Sequence, residues 1–170
     1  MAEFRINISN LSEGIHCYSF EAEPVKIGLD ARFYGILKID VKLDKNQRQI
    51  LLTAQMKVNG SFECDRCLEQ YERPIEGEYS MVYIQGDRST VELRKEEEIQ
   101  VISADTNYID LDDDIRQYLA LAVPVKLLCR ENCRGLCPVC GTNKNIAQCD
   151  CDVQTTDARW DALKKIPGIE

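Results

Sequence analysis

Residues 37–58 read Leu-Lys-Ile-Asp-Val-Lys-Leu-Asp-Lys-Asn-Gln-Arg-Gln-Ile-Leu-Leu-Thr-Ala-Gln-Met-Lys-Val. Leu37, Ile39, Val41 and Leu43 alternate with Lys38, Asp40 and Lys42. After a polar break at Asp44–Gln49, Ile50, Leu52, Ala54, Met56 and Val58 alternate with Thr53, Gln55 and Lys57. A period of two puts every apolar side chain of a strand on one face. Two such runs joined by a short polar turn predict an antiparallel pair with one wet face. The pattern extends outward. Phe4, Ile6 and Ile8 alternate near the start, Ile15–Glu21 is rich in β-formers, and Tyr79, Met81 and Tyr83 resume the alternation after Pro74. Residues 1 to about 105 are therefore expected to be mostly β, with a turn at 86–89 and a solvated charge run at 94–98.

The period changes at residues 110–123. Leu111, Ile115, Leu119 and Ala122 recur at helical spacing, and Pro124 ends the run. Asp110 is the expected N-cap. Asp112, Asp113 and Asp114 fall in the first turn, where the helix dipole favours carboxylates. A divalent-metal site is the less economical reading of that trio. A short closing helix is expected over 157–166, with Trp160 and Leu163 on one face. The expected fold class is α+β: a mainly antiparallel β domain over 1–124 with a central helix at 110–123, then a cysteine-rich tail over 125–170.

Of the 170 residues, 44% are hydrophobic and 29% charged, a globular balance. Lys and Arg total 21 against 29 Asp and Glu, a formal charge of −8. That argues against a surface built throughout for phosphate. The charge is uneven: residues 125–166 hold seven basic and five acidic side chains, whereas residues 1–124 hold 14 and 23. No run approaches the roughly 20 apolar residues of a membrane helix. The first ten residues alternate like a strand and show no apolar signal-peptide core. A cytoplasmic location is expected.

Nine cysteines are the compositional outlier. Six lie at 129, 133, 137, 140, 149 and 151. Cys137-Pro-Val-Cys140-Gly141 has the form of a zinc knuckle, in which a C-x-x-C turn aims two sulfurs at one metal. Cys149 and Cys151 complete a four-sulfur set after an eight-residue loop. Cys129 and Cys133 are alternative donors, so six candidates compete for four positions. A closed tetrathiolate zinc is structural, and it would supply folding energy to a tail poor in large apolar residues. Reduced thiols packed as small apolar groups, or an iron–sulfur cluster, are the alternatives. Cys64-Asp-Arg-Cys67 is a second thiol pair, open to a redox role, a metal half-site or a plain hairpin loop. Cys17 is isolated and expected to be buried. The single histidine, His16, supplies no catalytic dyad, and no phosphate-binding glycine loop is present. Nothing in the chain reads as an enzyme.

Four segments together resemble the YceD family of large ribosomal RNA subunit accumulation proteins. They are Ser61-Phe-Glu-Cys64-Asp-Arg-Cys67-Leu-Glu69; Ile109-Asp-Leu111 with Leu121-Ala-Val-Pro124; Cys129 through Asn143, closed by Cys149 and Cys151; and Asp157 through Lys165. Ala158 stands where the family pattern tends to have Pro. The resemblance implies a non-enzymatic factor supporting 23S rRNA accumulation and large-subunit biogenesis, in a cysteine-rich, zinc-binding branch. Two modes of action are open. In one, Arg130, Arg134, Lys144, Arg159, Lys164 and Lys165 contact rRNA phosphate, with Trp160 either stacking on a base or anchoring the closing helix. In the other, the acidic β part holds a basic ribosomal protein or assembly factor. The rival classes are a thiol oxidoreductase using Cys64 and Cys67, and a zinc-stabilised interaction module outside ribosome biology. Neither a membrane nor a small-molecule substrate is expected as a partner.

Overall fold

The computed structural model describes residues 4–86, 99–103 and 105–151. The chain divides into two compact units, Met1–Phe62 with Gln70–Leu127, and Glu63–Glu69 with Leu128–Glu170. A seven-residue excursion from the middle of the chain thus belongs with the tail.

The first unit is built on a five-stranded sheet of order β2-β3-β4-β5-β6: Gly14–Ala22, Phe33–Lys45, Gln49–Glu63, Gln70–Gln85 and Ile99–Ile102. Strands β2 and β3 pair antiparallel from Gly14↔Lys45 to Ala22↔Leu37. Strands β3 and β4 pair antiparallel from Lys45↔Ile50 back to Phe33↔Gly60, with a register shift between Tyr34 and Lys38. Gly35 takes φ +78° inside that irregularity, a conformation open to glycine. The bonds Thr53–Ser80 and Cys64–Glu69 and the ion pair Lys57–Glu76 bring β4 and β5 together in step toward residues 64–69, as antiparallel strands do. Strand β6 departs from the expected antiparallel pattern, running parallel to β5 with Val82↔Ile99 and Gln85↔Ile102 in register. The sheet is therefore mixed, though mostly antiparallel.

A two-stranded ribbon forms from β1 (Arg5–Asn7) and β7 (Tyr108–Asp110), with Ile6 opposite Ile109. The 3-10 turn Pro24–Ile27 and helix α1 (Asp112–Ala122) complete the unit. Alternation does what the sequence predicts: Leu37, Ile39, Val41, Leu43, Ile50, Leu52, Ala54, Met56 and Val58 are all buried. They share one core with Phe4, Ile6, Ile8, Ile109, Leu111, Ile115 and Leu119. Helix α1 packs on β5 at Gly77, where an added Cβ would lie 3.5 Å from Ala122 Cβ and 3.6 Å from the Tyr118 carbonyl oxygen.

Two local expectations are corrected. The helix starts at Asp112 after Leu111, because Asp110 is held as the last residue of β7 opposite Arg5. The acidic first turn is occupied structurally: Asp112 Oδ1 accepts the Phe4 N–H at 2.8 Å, and Asp113 pairs with Arg116 at 2.6 Å. Cys17 is exposed, not buried, because its register opposite Lys42 puts it on the polar face. Residues 87–89, 94–98 and 157–166, including Trp160, lie outside the described residues.

Candidate metal centres

The second unit is held by turns. Strand β4 runs on to Glu63 and β5 starts at Gln70, so Cys64 and Cys67 sit in the tip between them. There the Cys64 N–H donates to the Glu69 carbonyl at 3.0 Å, and the Leu68 N–H donates to the Cys64 carbonyl at 2.9 Å. In the tail, the Cys137 N–H donates to the Thr142 carbonyl at 2.8 Å and the Gly141 N–H to the Cys137 carbonyl at 2.9 Å. Such turns point backbone N–H groups at the sulfurs.

These turns assemble two separate sets of four thiols. Cys64, Cys67, Cys129 and Cys133 form one; Cys137, Cys140, Cys149 and Cys151 form the other. Within each set all four sulfurs lie within 4.8 Å of one another. Cys129 and Cys133 are thus not alternative donors to the tail set; they meet the hairpin pair. In the first set, Cys64 Sγ is 3.8 Å from Cys133 Sγ, and Cys67 Sγ is 3.7 Å from Cys129 Sγ. A disulfide needs about 2.05 Å, and all these cysteines are free. A metal with four tetrahedral thiolates at about 2.3 Å has S–S edges of about 3.8 Å. The donor spacing therefore fits one ion per set. It is too tight for a multi-iron cluster, where each thiolate takes a different iron and the sulfurs spread apart.

The electrostatics agree. Burial opposes ionisation of Cys64, yet backbone N–H groups of Cys129, Arg66 and Cys67 outweigh it and bring the thiol down to about 6. Burial and the neighbouring Cys67 push Cys129 up to about 12. In the tail set, the Thr142 hydroxyl and backbone bring Cys140 down to about 6, and Cys140 in turn pushes Cys151 up to about 12. One thiolate in such a cluster suppresses ionisation of its neighbours. A divalent cation at the centre removes that conflict.

Outer contacts fix the first set. Asn145 Nδ2 donates to Cys133 Sγ at 3.2 Å and Arg66 Nη1 to the Cys133 carbonyl at 2.8 Å. The Leu136 N–H donates to the Arg66 carbonyl at 3.0 Å. Gly135, at φ +69°, allows this approach, since a Cβ there would sit 2.9 Å from the Arg66 carbonyl oxygen. In the tail set, Thr142 Oγ1 lies 3.1 Å from Cys140 Sγ.

Of the residues considered for RNA contact, Arg130 and Arg134 are exposed and Lys144 is half-buried. Arg159, Lys164 and Lys165 lie outside the described residues. No described helix is long and apolar enough to cross a membrane. What spacing alone missed is the meeting of Cys64 and Cys67 with Cys129 and Cys133. The available signal was numerical: eight clustered cysteines make two sets of four.

No solved structure matches the chain. An uncharacterised protein of Mycobacterium tuberculosis is 27% identical over 150 residues, covering 86% of this chain and 71% of that one. An uncharacterised protein of Mycobacterium leprae is 22% identical over 107 residues, covering 63% and 48%. The chloroplastic "Large ribosomal RNA subunit accumulation protein YCED homolog 1" of Arabidopsis thaliana is 33% identical over 55 residues, covering 32% of this chain and 17% of that one. The family model described as "Large ribosomal RNA subunit accumulation protein YceD" matches residues 52–167, a span that takes in both thiol sets and helix α1. The chain belongs to the YceD family.

Proposed function

We propose that this protein is a non-enzymatic cytoplasmic factor that supports 23S rRNA accumulation during large-subunit biogenesis. The observation that carries the reading is the family match over residues 52–167. The chemistry of the chain is consistent with it. Four thiolates around one zinc leave no open position for substrate, so the tail set Cys137, Cys140, Cys149 and Cys151 is structural. His16 Nε2 lies 2.9 Å from the Ser12 carbonyl oxygen and donates there.

The contact we assign is to a basic protein of the assembling subunit rather than to rRNA. The described residues of the second unit, 63–69 and 128–151, carry four basic and five acidic side chains. A filled tetrathiolate adds a further two negative charges, four from sulfur against two from the metal. The chain as a whole carries −8. Phosphate binding needs a basic surface, whereas a ribosomal protein offers the opposite charge and is steered by it.

A sucrose-gradient profile of native lysate, with each fraction probed for this protein, tests the reading. Salt-sensitive comigration with large-subunit precursors is expected, and crosslinking in those fractions should recover protein contacts. Confinement to the light fractions would count against it. Crosslinks to rRNA alone would keep the biogenesis role and remove the assigned partner class.

A further inference from the structure

The two C-x-x-C turns are built alike. In each, the first cysteine's N–H donates five residues ahead, Cys64 to Glu69 at 3.0 Å and Cys137 to Thr142 at 2.8 Å. In each, the residue four ahead donates back to the first cysteine's carbonyl at 2.9 Å, Leu68 to Cys64 and Gly141 to Cys137. That returning residue is left-handed both times, at φ +59° in Leu68 and +73° in Gly141. Gly141 takes this conformation freely. Leu68 does not; for a residue with a Cβ the left-handed region costs about 1–2 kcal/mol. Strain of this kind persists where surrounding structure requires it.

The geometry points to a second zinc site at Cys64, Cys67, Cys129 and Cys133, separate from the tail site and equally closed. Three observations carry it. The hairpin turn has the backbone of a knuckle despite lacking its glycine. The four sulfurs lie within 4.8 Å, two cross-pairs at 3.7 and 3.8 Å. The donors are otherwise well ordered, with Cys64, Cys67 and Cys133 buried and Cys133 Sγ accepting from Asn145. The redox alternative for Cys64 and Cys67 lacks its usual setting. A reactive C-x-x-C thiol sits at a helix N-terminus, and here Cys67 leads within three residues into strand β5.

The two sites differ in reach. The tail site closes a loop within residues 137–151, so it orders local chain. The hairpin site joins residues 64–67 to 129–133, parts of the chain more than sixty residues apart, and so unites the hairpin tip with the tail. Closing a longer loop removes more freedom from the unfolded chain. This second zinc adds a covalent-strength tie to the bonds of Arg66 with Leu136 and Cys133 that already join residues 63–69 to the second unit.

The test is metal stoichiometry on the full-length protein, and it does not depend on the ribosomal reading. Native mass spectrometry of reduced protein refolded with zinc should show two ions per chain. The double variant C64S/C67S should hold one, and C137S/C140S should also hold one. To separate loss of a site from loss of fold in a variant, the wild type is also titrated with cobalt(II). Thiolate-to-metal charge-transfer absorption should rise linearly to two equivalents. Saturation at one equivalent, a Cys64–Cys67 disulfide in protein that binds one metal, or full zinc retention by C64S/C67S would each overturn the proposal.

Discussion

Leu68 shows how a single residue records the demands of a site. Among the described residues it is the one non-glycine with positive φ, and its side chain is 56% exposed, so packing does not explain its presence. Backbone geometry does. Substituting Leu68 by valine, whose branched Cβ tolerates this region worse, should lower the stability of the zinc-loaded protein by about 1–2 kcal/mol. Glycine should be neutral within about 1 kcal/mol, since relief of strain offsets added freedom in the unfolded chain. Thermal melts of both variants check this. Exposed positions without such strain tolerate change within about 0.5 kcal/mol, and valine behaving that way would contradict the knuckle geometry.

Tyr79 and Tyr83 make a second prediction at this scale. Both are buried and their hydroxyls have no hydrogen-bond partner among the described residues. Burial raises both phenols well above the ordinary value, and the Asp114 carboxylate adds to the rise. A folded-state value raised above the unfolded one means the stabilisation is complete below about pH 10 and is lost as pH climbs past it. Titrating tyrosinate absorbance should show these two ionising only together with loss of the fold. Their ionisation with circular dichroism unchanged would show that they are open to solvent.

At the scale of elements, the core is governed by alternation and helical spacing. Leu119 is fully buried on α1, which packs on β5. Leu119→Ala should therefore cost about 2–5 kcal/mol in denaturant unfolding, against under about 0.5 for alanine at exposed Leu121. Such faces were legible in sequence, because a period of two or 3.6 is a local property. The strands β3 and β4 and the helix follow from it directly. Three features were not legible, each for a physical reason. The parallel β6 and the short β7 have only four and three residues, too few to display a period. The helix start slid from Asp110 to Asp112 because pairing with Arg5 claimed Asp110 for the ribbon. The joining of Cys64 and Cys67 to Cys129 and Cys133 depends on where β4 and β5 end, and residue spacing does not encode that. The tail knuckle, by contrast, is local, and Cys137-Pro-Val-Cys140-Gly141 announces it.

For the molecule as a whole, the two units rest on different physics. The first is held by a continuous apolar core. Within the described part of the second, the large apolar residues Leu68, Val139 and Ile146 are exposed, and its fold is expected to depend on metal. Chelation under reducing conditions should therefore abolish amide protection in residues 128–151 while β3, β4 and α1 keep theirs, as hydrogen exchange would report. Simultaneous loss in both units would contradict this division. With zinc in both sets, as proposed, every metal position would be taken by a thiolate, so the centres would hold a surface in place, which is what the proposed assembly role requires.

The most direct measurement is the ratio of 23S to 16S rRNA after depletion of this protein, with re-expression of the wild type as control. The account predicts that the ratio falls on depletion and recovers with the wild-type chain. An unchanged ratio, in cells shown to lack the protein, would contradict the assigned role in large-subunit rRNA accumulation.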